Sequence, residues 1–355
     1  MRQLKLLNSA CQLTMIAGLS ACGGGADTPS QPEHLLAATG TTAASVRNIT
    51  VALDGSGNYT NLQDAFSSVP DNNTVRTVIT IKPGVYVGQA ILRRFKHKVT
   101  LQGSDPTTTI LSYYANVNEQ PAGTDSFYKG YGIVIESNDF IADKLTFRNT
   151  SGDHGQAIAL RINGDRALVT NSRMLGWQDT LNLNVGRHYI KDSYIEGRVD
   201  FIYGDGTSVF DNCEIKSKNG GYITASSAPD TRPYGFVIIN SRLTSDPTAW
   251  VDPNSTTPVV PPKTPPQSYL GRPWRPYASV IYMNTDMGGH IKPAGWDNWG
   301  NAANELTARY AEYGNYGVGA NTSARVTWAK QMTSTEASQV TLSAVLGGTD
   351  GWHPY

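Results

Sequence analysis

Cysteine is nearly missing from this sequence, with three in 355 residues: Cys11, Cys22 and Cys213. Cys11 is expected to leave with an N-terminal signal and Cys22 to carry lipid, so Cys213 stands alone, and neither an internal disulfide nor a cysteine-rich metal site can be built. Charge is thin as well, at 16% of residues against roughly 25% in an average soluble domain. The 29 basic and 29 acidic residues cancel, which leaves no global field to recruit nucleic acid or an acidic membrane surface. Any charged ligand must be held locally. The apolar stretch ending at Leu19 is too short and too interrupted for a membrane-spanning helix. Glycine is plentiful instead, at 35 residues, together with Asn, Ser and Thr. That composition favours many turns and few helices.

The first residues read as a targeting segment. Arg2 and Lys5 form its positive end, the apolar stretch follows, and Leu19-Ser20-Ala21-Cys22 resembles the lipobox of bacterial lipoproteins, in which the cysteine is lipidated after cleavage. The expected division is therefore a signal peptide at 1–21, a flexible tether at 22–47 and a folded domain at 48–355. A plain secretory signal cleaved near Ala21 is the other reading. The tether carries Gly23-Gly24-Gly25, Pro29, Pro32 and an Ala/Thr run to Ser45, with too little apolar content to fold. The expected location is the bacterial cell envelope, as an outer-membrane lipoprotein held only through lipid at Cys22, with a secreted or periplasmic protein as the alternative. Without Arg2 and Lys5 the basic count falls from 29 to 27 against 29 acidic residues.

The domain opens on Ile49 to Leu53, which alternates like a strand, and on a turn at Asp54 to Tyr59. Leu62, Ala65, Phe66 and Val69 recur at helical spacing, so a short helix ends before Pro70. Short β-rich runs then follow one another. Asn171-Ser172-Arg173-Met174, Asp192-Ser193-Tyr194-Ile195, Asn212-Cys213-Glu214-Ile215, Asn240-Ser241-Arg242-Leu243 and Asn284-Thr285-Asp286-Met287 repeat one phrase at intervals of 21, 20, 28 and 44 residues. The last interval is enlarged by a Pro-rich insertion from Asp252 to Gln267. A period near 20 without intervening helices is the mark of a solenoid whose coils each add a rung to parallel sheets. Asn or Asp opens each phrase because these side chains tolerate left-handed backbone and bond their own turn. An antiparallel sandwich also has short strands and many turns, but its hairpins need not repeat one phrase at one phase. The expected fold is all-β, a right-handed parallel β-helix with a short N-terminal helix and a C-terminal tail packed on the coil. Tyr310 to Tyr313 and Thr335 to Leu346 read as partly helical, with Gly347-Gly348 as terminator.

Between Gly155 and Gly204 an amide and two carboxylates recur near this same period: Gln156, then Asp179 after 23 residues, then Asp200 after 21. On neighbouring rungs such residues lie roughly 4.8 Å apart. Two carboxylates that close cannot both ionise freely, so one takes a raised pKa and can donate a proton while the other stays anionic beside a cation. Arg272, in Leu270-Gly271-Arg272-Pro273-Trp274, could supply that cation in a two-pronged pair. Trp274 offers a flat face suited to a sugar ring.

These phrases resemble the pectinesterases, the pectin methylesterases of carbohydrate esterase family 8. Gly155 to Arg161 is similar to the family's G-x-Q-A-V-A-L-R, Gln178 to Leu181 to Q-D-T-L, Val199 to Gly204 to V-D-F-I-F-G, and Leu270 to Trp274 to L-G-R-P-W. Weaker echoes occur at Gly57 to Ala65, Lys82 to Tyr86 and Gly348 to Pro354, so the likeness covers roughly 49–354 in family order. The resemblance implies hydrolysis of methyl esters on galacturonan, with methylated homogalacturonan as partner, without metal or cofactor, by a monomer. It makes Asp200 the nucleophile, Asp179 the acid and then base, Gln178 and Gln156 the oxyanion donors, and Arg272 the group that keeps Asp200 anionic. Trp274, Phe201, Val199 and Gln156 would line the sugar groove, and His154 and His188 are not needed. Absence of a G-x-S-x-G phrase leaves a His-assisted serine mechanism without support. Asn182 stands where many members have Tyr, and Tyr203 where Phe is commoner, which puts subsite shape in question more than chemistry. The insertion 252–267 is expected to border the groove. A non-pectin ester or thioester substrate, and a carbohydrate-binding β-helix without turnover, are the competing functions. Gln178 and Asp179 are adjacent, and a regular strand would point them to opposite faces, so a bulge or strand end is expected there.

Overall fold

The computed structural model describes residues 46–119, 121–246 and 266–354. The sequence-based readings for 1–45, and most of the insertion at 252–267, lie outside the described residues.

Among the described residues every strand pairing is parallel, and the chain visits three faces in turn. The first face is an 11-stranded sheet that begins at Arg47–Val51 and ends at Arg309–Tyr313 and Lys330–Gln331. The second includes Thr109–Tyr113, Thr146–Asn149 and Arg173–Leu175. The third includes Tyr131–Ile135, Ile158–Ile162 and Leu181–Leu183. Two long strands, Tyr194–Gly204 and Glu214–Ser226, run through the corner between the second and third faces and join them into one sheet. The architecture is the expected right-handed parallel β-helix, with the hand that parallel crossovers take.

The repeat exists because each coil must bury the same inward positions. On the first face Ile49, Ile79, Leu101, Ala142, Val169, Ile190, Phe210, Ile238 and Tyr282 are register partners from rung to rung and are almost fully buried. The Asn and Asp that open the repeated phrases take left-handed backbone, at φ 47° for Asn171, 49° for Asp192, 53° for Asn212, 51° for Asn240 and 49° for Asn284. The next residue in each phrase is small and buried. Ser172, Ser193 and Ser241 return their hydroxyls to backbone carbonyls two residues earlier. Cys213 occupies the same place, and burial pushes its thiol up to about 12, so it acts as a serine-sized filler of the column.

The first coil carries a helical cap, as a solenoid requires, and the C-terminal tail lies along the coil. Helix α1 (Leu62–Ser68) starts at the Asn61 cap and buries Leu62, Ala65 and Phe66. In the C-terminal tail α2 (Ser334–Ala337) and α3 (Leu342–Leu346) place Ala337, Val345 and Leu346 against Tyr189, Val209 and Val237 on the outside of the first face, midway along the coil. Gly348, at φ 56°, ends the helical stretch. Asp350 then holds the tail to Arg187 at 2.7 Å and to Arg166 at 3.0 Å.

The helical reading of Tyr310 to Tyr313 is corrected: Arg309–Tyr313 is a strand paired with Ser279–Met283. Its alternation, with Tyr310 and Glu312 inward, serves the last full rung, and burial decides over local propensity. The inward column thus ends in a carboxylate, since Glu312 is the register partner of Tyr282 and is 1% exposed. Arg325 reaches it at 2.9 Å through Nε, Trp296 donates to it at 3.1 Å, and Arg325 Nη2 donates to the Gly319 carbonyl at 2.7 Å. Removing one partner leaves a buried charge uncompensated. Arg325→Leu is therefore expected to lower stability by about 3–5 kcal/mol, and adding Glu312→Leu should recover part of that loss in urea denaturation.

Candidate functional site

The site lies where the third face begins. Gln156 and Gln178 form a parallel bridge immediately before Ile158–Ile162 and Leu181–Leu183, and the Ala157 amide donates to the Gln178 carbonyl at 3.1 Å. Asp179 is in left-handed backbone at φ 65°, outside any strand, and its amide donates to the Val199 carbonyl at 3.0 Å. No unbroken strand spans 177–180, so the alternation that would separate Gln178 from Asp179 does not operate. Asp200 is left-handed too, at φ 51°, and the pairing of its strand shifts register between Val199 and Ile202. These are costly conformations for residues with a side chain, and two of them stand at the two carboxylates.

Asp200 is 6% exposed and sits in the fork of Arg272, which donates through Nε to Oδ1 at 2.8 Å and through Nη2 to Oδ2 at 2.7 Å. The loop that carries Arg272 is pinned to the rung below it. The Arg272 amide donates to the Thr224 carbonyl at 2.9 Å and the Trp274 amide to the Ser226 carbonyl at 3.0 Å. Gly271 allows this approach, since a Cβ there would lie 2.1 Å from Thr224 Oγ1. The guanidinium is also clamped face to face, with Tyr222 and Trp299 each 3.8 Å from its central carbon. A planar cation between two rings cannot rotate away from its carboxylate.

The electrostatics divide the two acids. Burial, and then the charge of Asp200, push the Asp179 carboxyl from 3.8 up to about 8, with Arg272 opposing. Burial raises Asp200 as well, but there the Arg272 hydrogen bonds and charge pull the other way. The proton is thus favoured on Asp179 and the charge on Asp200, a division of the kind that covalent acid–base chemistry uses.

The remaining expected residues fall as follows. Gln156 is exposed and Gln178 half-buried at the site. Trp274 is 37% exposed and meets the Tyr203 ring edge-on at 5.8 Å. Val199 is half-buried and supplies the carbonyl that holds Asp179. Phe201 does not reach a groove: it is fully buried in the interior stack, because the residue after left-handed Asp200 turns inward. His188 is buried between Ser208 and the Gly164 carbonyl, and burial lowers its pKa to about 4, which makes it a neutral structural group.

Two members of the site went unread in the sequence. Tyr222 is the register partner of Val199, one rung on. Trp299 is brought in by a turn whose Asp297 accepts the Trp299 amide at 2.7 Å. The period could have pointed to Tyr222, but the clamp around Arg272 has no counterpart in local sequence.

A family model described as pectinesterase matches residues 48–349. The chain belongs to the pectinesterase family. It is 38% identical over 303 residues to "Pectinesterase 31" of Arabidopsis thaliana, covering 83% of this chain and 90% of that one. It spans about half the length of several further curated relatives. Among solved structures it is similar to "Pectin methylesterase from Carrot", with a TM-score of 0.76, 31% identity, and coverage of 87% of this chain and 95% of that one. A pectin methylesterase in complex with a hexasaccharide also matches, with a TM-score of 0.68, 28% identity, and coverage of 88% and 100%. Pectinesterases are carboxylic ester hydrolases, and this chain has two carboxyl groups at its site suited to that class of reaction.

A stability measurement tests the division between the acids. The folded pKa of Asp179 lies above its unfolded value, so the native state binds the extra proton between pH 3.8 and about 8 and loses stability as pH rises through that window. Asp179→Asn has no such proton to lose. Its stability advantage over the parent should grow from acid toward pH 8 in urea denaturation, and a pH-independent difference would refute the raised pKa.

Proposed function

We propose that this pectinesterase hydrolyses methyl esters of galacturonate units in pectin through an aspartyl acyl-enzyme. A carboxylate oxygen of Asp200 attacks the ester carbonyl carbon. Gln178 and Gln156 donate to the tetrahedral oxyanion, each donor being worth roughly 3 kcal/mol. Collapse breaks the bond to the methoxy oxygen, which takes the Asp179 proton and leaves as methanol. Asp179, now a carboxylate, accepts a proton from water, whose oxygen attacks the acyl carbon; Asp200 departs as carboxylate and Asp179 is protonated again. The product acid then ionises to solvent. Every group named comes from one chain, so a monomer is the proposed working unit.

The observation that carries this reading is the two-pronged Asp200–Arg272 pair, clamped by two rings, beside an acid held protonated. A binding module without turnover has no need of that division. Residues 1–21 are proposed as an export signal and Cys22 as a lipidation site, which would tether the enzyme to a bacterial envelope.

Methanol release from methylated homogalacturonan is the direct assay. Asp200→Ala should lose at least about a thousandfold in kcat while keeping its fold, and Gln178→Ala should lose about 10²–10³. A folded parent that releases no methanol overturns the reading. Lipidation is tested separately: Cys22→Ala should move the protein from the membrane fraction to the soluble fraction, and no change of fraction refutes it.

A further inference from the structure

The turn that brings Trp299 to Arg272 carries a third carboxylate, to which the reaction described above gives no part. Asp297 is half-buried, and its amide donates to the Gly271 carbonyl at 3.1 Å, so it is pinned beside the residue that precedes Arg272. Trp296, next to it, forms a parallel bridge with Gly271. Two residues on, Trp299 takes left-handed backbone at φ 61°, a costly conformation for a bulky side chain. Asp297 Oδ1 accepts the Trp299 amide at 2.7 Å and closes that turn, and the ring so aimed lies 3.8 Å from the guanidinium carbon of Arg272. The strain falls where the turn meets the arginine of the site.

The charge of Asp297 is felt throughout the site. The fork of Arg272 is filled by Asp200, through Nε and Nη2. Burial raises the Asp200 carboxyl, Arg272 opposes that rise, and Asp297 adds to it. At Arg272 burial works downward, while Asp200, Tyr222 and Asp297 carry the guanidinium above its usual value. Three carboxyl groups, those of Asp179, Asp200 and Asp297, thus surround one cation. Tyr222 and Tyr310 also border the group, and burial lifts both phenols above 10, so they stay neutral. The second carboxylate is a surplus only until the reaction is followed. Attack turns the Asp200 carboxylate into one half of a neutral anhydride, its charge passes through the oxyanion to the departing methoxide, and the Asp179 proton neutralises that oxygen. Asp179 is left anionic, and Arg272 has lost both charged acceptors of its fork. A largely desolvated cation deprived of its counterion is costly.

We propose that Asp297 is the reserve counterion of Arg272: it balances the guanidinium while Asp200 is acylated, and it holds Trp299 against the same group. The inference rests on the acyl-enzyme reading and deepens it. Before the reaction the charges stand on Asp200, Arg272 and Asp297, and in the acyl-enzyme they stand on Asp179, Arg272 and Asp297. Their sum is the same in both states, so no ion has to enter or leave the site between the two half-reactions. Asp297 is a positioning residue in this scheme and takes no part in bond making.

The test has two arms. Asp297→Asn keeps an oxygen for the Trp299 amide and removes the charge, Asp297→Ser does the same where the amide variant fails to fold, and Asp297→Ala removes both. In the first arm methanol release from methylated homogalacturonan is followed against pH. Asp297→Asn should lose about tenfold in kcat with KM little changed, and its acid limb of kcat/KM should move to lower pH, because nothing from position 297 now opposes ionisation of Asp200. Asp297→Ala should lose more than Asp297→Asn, the excess being the part due to the turn. An active parent whose Asp297→Asn variant keeps the parent kcat, or loses kcat with the acid limb unmoved, overturns the proposal. The second arm needs no ester. Asp200→Asn reproduces the charges of the acyl-enzyme, with Asp179 free to ionise, and urea denaturation at neutral pH compares the parent, Asp200→Asn, Asp297→Asn and the double variant. Asp297→Asn should cost much more stability in the Asp200→Asn background than in the parent, where it also relieves a repulsion. Additive effects overturn the proposal. Coupled effects in a protein that cleaves no ester uphold the pairing of Asp297 with Arg272 and refute the esterase reading alone.

Discussion

A carboxylate with 6% exposure and a second acid beside it would ordinarily take up a proton, and what prevents this at Asp200 is the fork of Arg272. The rest of the site depends on that one pair. Under the proposed mechanism a neutral Asp200 could not attack the ester, and without its charge the Asp179 carboxyl would lose one of the two causes that raise its pKa. The pair also costs desolvation, which a single loop arginine would repay poorly. The repayment comes from geometry: a flat cation between Tyr222 and Trp299 has already lost its freedom before any ester arrives.

The coil is what makes such a pair possible from residues 72 positions apart. Parallel rungs convert a sequence period into a spatial column, so Gln156, Gln178 and the two acids come together without a dedicated scaffold. The inward stack supplies rigidity, since its register cannot slip by one residue without moving every apolar side chain to the wrong face. The left-handed residues at the corners then select which side chains leave the stack. At Asp179 and Asp200 the same device that turns the coil aims the chemistry outward.

Much of this was legible beforehand, for a physical reason. A solenoid is a nearest-neighbour structure, so period, turn residues and apolar positions carry its architecture in the open. The acids, the glutamines and Arg272 were readable because they recur at that period or lie in short specific phrases. Phe201 was misplaced because the reading followed the phrase and not the alternation: Asp200 breaks the strand, and its successor turns into the core. Tyr310 to Tyr313 was misread because inward Tyr310 and Glu312 belong to a strand that only burial identifies. Trp299 and the pairing of Arg325 with Glu312 depend on where the chain re-enters after the last coils, which no local pattern records.

The two departures at Asn182 and Tyr203 gain a common explanation from register. They are partners on adjacent strands, so they are one change seen twice. The Asn182 amide is buried, engaged with Asn184 at 2.9 Å, and the Tyr203 ring above it is likewise nearly buried, against Trp274. A smaller side chain on one rung leaves room for a larger polar one on the next, and close packing makes the two substitutions interdependent. Asn182 follows Asp179, and Tyr203 follows Asp200, by three residues along the chain, so the pair lies one step beyond the two acids on neighbouring rungs. The two substitutions therefore alter the packing beside the acids while Arg272 keeps its two-pronged hold on Asp200.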